Sequence, residues 1–219
     1  MRINPKILEQ CVLFADIRPE DRAPMLGCLG AQILEVPKNH FVFREGDPAT
    51  LVGIVLEGCV QMVREDYYGN RSILARIEPA GLFGESFACA DVETLPISVA
   101  AVEDSRVLLI DSRRITTTCS NACGFHNQMI FNMLKVVAIK NLVLTQKIEV
   151  TSQRTTREML LADLFTQAKL HQSDSFTIPY DRQELADYLE VDRSGLSSEI
   201  SKLRKEQIIE NEKNKFKLL

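Results

Sequence analysis

The chain has 219 residues, 45% of them apolar and 26% charged, with a formal net charge of -4 and 6 cysteines. That length holds one or two packed domains, and that composition is globular rather than disordered. The acidic balance excludes a surface that is basic throughout, so a nucleic-acid site has to be a local patch. No apolar run is read as a membrane span, and no signal-peptide core follows Met1. The chain is therefore expected in the cytoplasm, with its cysteines as free thiols or ligands rather than structural disulfides.

Residues 4–30 read as helical, with Pro19 suited to a first helical turn. From Ala31 the period changes. Short β-rich runs occur at 33–36, 41–43, 52–56, 60–63, 72–77 and 106–110. Gly46-Asp47-Pro48, Glu57-Gly58, Tyr68-Gly69-Asn70 and Pro79-Ala80-Gly81 punctuate them. Strands at this spacing predict a β-barrel or sandwich, with Tyr68-Gly69-Asn70 as a hairpin turn.

After Gly124 there is neither Pro nor Gly up to residue 150. Ile130, Leu134, Val137, Asn141, Leu144 and Ile148 alternate at spacings of four and three, a heptad seam with one polar member. Two readings follow. The seam pairs two parallel copies, with Asn141 fixing register, or the helix packs on its own β-domain and Asn141 faces water. The first is favoured because symmetric reading of DNA needs two half-sites.

Thr155 with Glu158 makes a capping box, and the helix it starts should hold Leu160, Leu161, Leu164, Phe165 and Ala168 inside. Phe176-Thr177-Ile178 reads as a short strand ended by Pro179. Asp181 with Glu184 is a second capping box, and Asp192 offers another N-cap. Leu185, Ala186 and Leu189, then Leu196, Ile200 and Leu203, form apolar stripes. Two short helices joined by a tight turn make a helix-turn-helix. Its second helix would place Arg193, Ser194, Ser197, Ser198 and Lys202 toward bases and phosphates. Between Arg193 and Lys217 stand seven Lys/Arg against four Glu, the local basic patch that net charge requires. Two runs around Glu212-Lys213-Asn214-Lys215 predict a two-stranded wing.

A β-roll, a long connecting helix and a winged helix-turn-helix, in this order, resemble the CRP/FNR superfamily of bacterial transcription regulators. The resemblance rests on Phe43-Arg44-Glu45-Gly46-Asp47, Gly53 to Gly58, Gly81-Leu82-Phe83-Gly84-Glu85, Asp181 to Ala186 and Asp192-Arg193-Ser194. It implies an α+β protein with a jelly-roll-like effector domain over 1–123, a dimerisation helix over 124–150 and a DNA-binding domain over 151–219. It further implies a homodimer that binds double-stranded DNA at a near-palindromic site, contacts RNA polymerase and responds to a small-molecule effector, with no membrane partner.

Two departures from the family pattern bear on mechanism. Members that bind cyclic AMP carry a Glu after Phe-Gly, matched by Glu85, and an Arg about ten residues later for the phosphate. Here that region reads Thr94-Leu95-Pro96-Ile97-Ser98, and no Lys or Arg lies between Arg76 and Arg106. A buried phosphate without a cation is poorly compensated, so cyclic AMP is not the expected effector. Gly84, Glu85, Ser86, Ile97 and Ser98 are the candidate pocket, and Glu85 serves equally well as a fold-stabilising carboxylate. In the recognition helix, Ser194 and Ser198 stand where the best-known members have Glu and Arg, which predicts a different half-site.

Cys119, Cys123 and His126 share a helical spacing suited to a soft metal or a thiol-redox switch, with Cys89 as a conceivable fourth ligand. Ordinary buried thiols explain the same residues. Cys11 and Cys28 do not form the tight cluster of the iron–sulfur branch, and the residues name no cofactor. With His40, His126 and His171 as the only histidines, there is no nucleophile–base motif and no enzyme is expected.

Overall fold

A computed structural model describes residues 3–117 and 124–219. Backbone contacts separate two compact units. The first runs to Asn70 and resumes over Leu74–Asn141; the second holds Arg71–Ile73 and Leu142–Leu219.

The first unit begins with α1 (Pro5–Gln10), capped by Asn4, a 3-10 turn at Val12–Phe14, and α2 (Pro19–Cys28), with Pro19 in its first turn. Strands β1 (Gln32–Val36), β2 (Phe41–Phe43), β3 (Leu51–Glu57), β4 (Val60–Glu65), β5 (Arg71–Ile77) and β6 (Leu82–Phe83) follow. Then come α3 (Glu85–Cys89), β7 (Ser98–Ala101), β8 (Ser105–Asp111) and α4 (Ser112–Thr116). The strands form two four-stranded sheets, ordered β1-β8-β3-β6 and β2-β7-β4-β5. β8 pairs antiparallel with β1 and β3, β7 with β2 and β4, and β6 with β3. This is an open, jelly-roll-like β-roll.

Every one of these eight strands contributes to one core. Val36, Phe43, Val55, Val60, Ile77, Phe83, Val99 and Val107 meet between the sheets. On β3 the alternate residues Val52, Ile54 and Leu56 point the other way, into a second core with α1, α2, β8 and the long helix. A strand covered on both faces explains why Leu51 to Leu56 reads as continuously apolar. Gly53 is required in this strand because the Phe83 ring lies on it. A Cβ there would sit 2.1 Å from the ring.

Helix α5 (Gly124–Thr151) begins within the first unit and ends in the second. The helix packs on its own domain along one face and leaves a second apolar face open. Met129, Met133 and Val136 pack in the helical core of the first unit. Asn132, also buried, donates to the backbone carbonyls of Leu13 and Ala15. On the seam, Leu134 is 66% exposed and Leu144 and Ile148 are open, while Ile130 and Val137 are half-buried. Phe131, Leu142 and Val143 widen this open apolar face. Asn141 is exposed and is not without a partner. One expectation is corrected here. Phe125–Thr151 is long and apolar enough, by length and composition, to cross a membrane. Its apolarity comes from having two apolar faces, one in the core and one open.

The second unit continues with α6 (Thr156–His171), β9 (Ser175–Thr177), α7 (Arg182–Leu189), α8 (Arg193–Lys205), β10 (Ile209–Glu212) and β11 (Lys215–Leu218). Thr155 and Asp181 form the two expected capping boxes. Leu160 and Leu164 are buried, but Phe165 is exposed, against expectation. The unpredicted core member is Asp163, 2% exposed.

Candidate DNA interface and effector niche

The helix-turn-helix forms where its caps place it. Asp192 accepts from the Gly195 amide and fixes the start of α8. Glu190 adopts a left-handed φ of 58° and ends α7 in the tight turn. Ala186 is fully buried at the helix approach, and Leu196, Ile200 and Leu203 anchor α8. The opposite face carries Arg193, Ser194, Ser198, Lys202, Arg204 and Lys205, all exposed. Three of the expected contact residues are already engaged. Ser194 donates to Asp192, half-buried Ser197 donates back to the Arg193 carbonyl at 2.9 Å, and Lys202 pairs with Glu199 at 2.6 Å. Arg193 and Ser198 remain presented at the helix start. The wing is β10 and β11 in antiparallel register, with β9 as a third strand, so it is braced rather than free.

One basic residue in the helix-turn-helix was not singled out from the sequence. Arg182 opens α7, and its Nη1 is buried without a hydrogen-bond partner among the described residues. Burial first and the nearby Arg193 charge second lower its pKa. A second cation near Arg193 at the start of α7 adds to the positive field at this end of the two helices. The available signal was an Arg directly after each N-cap Asp, Asp181-Arg182 and Asp192-Arg193.

The candidate pocket in the first unit is built on the turn between β6 and α3. Gly84 holds φ +80° there, and a Cβ would meet the Leu51 carbonyl at 2.8 Å, so only glycine fits. Glu85 is 1% exposed. Its Oε1 accepts from the Ser86 hydroxyl at 3.0 Å and from Lys140 Nζ of α5 at 2.8 Å. The same ammonium donates to the Leu82 carbonyl at 2.6 Å, while Glu85 Oε2 has no partner among the described residues. Gly84, Glu85 and Ser86 are thus brought together with a cation that sequence reading did not supply. Ile97 belongs instead to the roll core, and the Ser98 hydroxyl accepts from the Glu45 amide at 3.0 Å. Phe43 and Phe83, with ring centroids 5.5 Å apart, help fill the interior between the sheets.

The comparisons agree with this layout. The model of the cyclic nucleotide-binding domain matches residues 33–122, and that of the Crp-like helix-turn-helix domain matches residues 155–219. The chain belongs to the CRP/FNR superfamily. A curated relative, the CRP-like cAMP-activated global transcriptional regulator of Mycobacterium tuberculosis, is 30% identical over 80 residues. That match covers 36% of this chain and 35% of the relative, so the matched stretch spans about a third of that protein. The c-di-GMP responsive global regulator CLP of Xanthomonas campestris superposes with a TM-score of 0.73 at 17% identity. It covers 90% of this chain and 98% of its own. A CooA mutant from Carboxydothermus hydrogenoformans gives 0.67 at 20% identity, covering 88% and 85%. At these identities the two structures support the fold alone. As a CRP/FNR superfamily member, this chain carries a Crp-like helix-turn-helix domain over residues 155–219.

The proposed metal or redox set is only partly visible in this CRP/FNR chain. Cys119 and Cys123 lie outside the described residues. Among the described residues no group of three or more His, Cys, Asp or Glu could hold a metal. His126 is buried beside Phe125, and its Nδ1 has no partner among the described residues. Cys89 is exposed, and its thiol pKa is raised by burial and by Glu85.

Proposed function

We propose that this chain is a homodimeric, sequence-specific regulator that lays α8 in the major groove, with Arg193 and Ser198 at the bases and Arg182 and Lys202 at phosphates. The supporting observation is the division of α8 into a buried Leu196/Ile200/Leu203 face and an exposed basic and hydroxyl face. The open apolar face of α5, with Leu134, Leu144 and Ile148, fits a second copy, and two copies match a near-palindromic site. Domain limits of 1–123, 124–150 and 151–219, a contact with RNA polymerase and a cytoplasmic setting complete the reading.

The β-roll responds to a small molecule other than cyclic AMP. Glu85 is occupied by Lys140, and no Lys or Arg lies between Arg76 and Arg106 to take a phosphate. A metal- or thiol-sensing mode through Cys119, Cys123 and His126 is the second reading, favoured by the buried His126 Nδ1, which has no hydrogen-bond partner among the described residues. Metal analysis of protein purified without chelator tests it.

The test of the main reading is selection of bound DNA from a random pool, followed by Arg193→Ala. The substitution should cost about 1–3 kcal/mol on the selected operator and relax one base position. Equal loss on operator and random DNA would remove the base-reading role. Calorimetry should detect no tight cyclic AMP binding. Leu134→Glu with Leu144→Glu should yield monomers by sedimentation.

A further inference from the structure

The niche at the β6–α3 turn is chemically a cation site, and the chain fills it itself. Glu85 is 1% exposed, and a carboxylate this deeply buried needs a positive partner. Lys140 supplies it and at the same time holds the Leu82 carbonyl. The place of Lys140 on α5 matters. Val136 is the last apolar residue of the helix buried in the first unit's core, and residues 141–146 are all exposed. Within the first unit Lys140 is therefore the last contact of α5 with a buried group, one residue before that unit ends at Asn141; further on, Lys147 donates to the Ile73 carbonyl of β5 at 2.6 Å, within the second unit.

We propose that Lys140 is a built-in occupant of this niche, and that the effector is a small cationic amine that replaces its ammonium on Glu85 and releases this turn of α5. The ligand class follows from the niche. An anion displacing Lys140 would leave Glu85 uncompensated beside a second negative charge. A neutral molecule would leave it without a counter-charge. An organic cation restores the pair, and its remaining N–H groups can reach the unpartnered Glu85 Oε2. The regulatory consequence rests on the DNA-binding reading above.

Chemical rescue tests it on the full-length protein. Lys140→Ala should melt lower by roughly 10 °C and exchange its 137–146 amides at least tenfold faster than wild type. Millimolar n-propylammonium should restore part of both, and sodium chloride or propionamide should not. The double variant Glu85→Gln/Lys140→Ala should recover stability without amine and lose the rescue. Operator affinity, measured by anisotropy, should differ at least tenfold between Lys140→Ala and wild type. Unchanged melting and exchange, or rescue equal to the salt control, would overturn the cation site. Altered exchange with unchanged operator affinity would reduce the pair to a structural one and overturn the regulatory role. If wild type binds no DNA, the regulator reading fails, and the cation site is then decided by exchange and rescue alone.

Discussion

The two units each bury a carboxylate, and the two are treated differently. Glu85, 1% exposed, has Lys140 at 2.8 Å and a hydroxyl at 3.0 Å. Asp163, 2% exposed, has no ion pair among the described residues, and burial pushes its pKa up to about 6, with a Gln167 hydrogen bond partly opposing the shift. The groups around Asp163 respond to it. Tyr188 is raised to about 12 by burial and by the Asp163 charge, and the Lys147 ammonium sits 4.6 Å above the Tyr188 ring rather than on the carboxylate. Lys147 is itself lowered by burial, with Glu190 opposing. A paired buried charge ties distant elements together and suffers badly when one partner goes. An unpaired one burdens the fold whenever it ionises.

The largest effect should come from breaking the paired site. Lys140→Met leaves Glu85 buried and alone, and should lower stability by about 3 kcal/mol or more in urea unfolding. Glu85→Gln with Lys140→Met should recover most of that, because no charge remains to be compensated. A Lys140→Met cost below about 1 kcal/mol, the range of surface pairs, would erase the contrast between the two carboxylates.

The unpaired site should show the opposite sign. The folded pKa of Asp163 lies above its ordinary value of 3.8. The folded state therefore binds the proton more tightly. The associated stability is fully present below about pH 4 and is lost as pH rises through about 6. At pH 8 the ionised group burdens the fold by up to about 3 kcal/mol, at about 1.4 kcal/mol per pKa unit. Asp163→Asn should then stabilise the protein by about 2 kcal/mol at pH 8 and by little at pH 4. Matched urea titrations at both pH values check this, and a destabilised variant at pH 8 would mean that the carboxylate holds an interaction worth more than its burial.

What the sequence made legible divides along the same line. Periodicity and turn residues located six of the eight roll strands, β9, both capping boxes, the helix-turn-helix and the wing, because each signal lies within a few residues. β6 has two residues and β7 reads Ser-Val-Ala-Ala, too short or too small-sided to stand out. α3 and α4 have five residues each, below the length at which helical periodicity shows. On α5 the seam was visible, but the second stripe through Met129, Met133 and Val136 was not separated from it, since one helix can carry two apolar faces. At the site, Gly84 to Ser86 were found by resemblance. Lys140 was not, because it is 58 residues from the Leu82 carbonyl it holds and has no local signature. Ile97 and Ser98 were adjacent to the right loop in sequence but serve the roll core and the Glu45 turn. Arg182 was hidden inside a capping motif whose other residues explained themselves.

The smallest effect should come from an exposed carboxylate of neither kind. Asp181 accepts from the Glu184 amide at 2.8 Å, and Glu184 returns the bond to the Asp181 amide at 2.9 Å. Water competes for both, so only the local orphaned donors are at stake. Asp181→Ala should cost about 1 kcal/mol, and Asp181→Asn only a fraction of that, because the amide oxygen still caps the helix. Thr155→Ala, at the other capping box, should fall in the same range. The two caps differ in position, however. Asp181 starts the helix that carries Arg182, so its loss should also loosen that guanidinium and weaken operator binding, whereas Thr155→Ala should change stability alone. Equal operator affinity in the two alanine variants, measured under conditions where both are folded, would separate Arg182 from the DNA contact and leave the cap as a purely structural device.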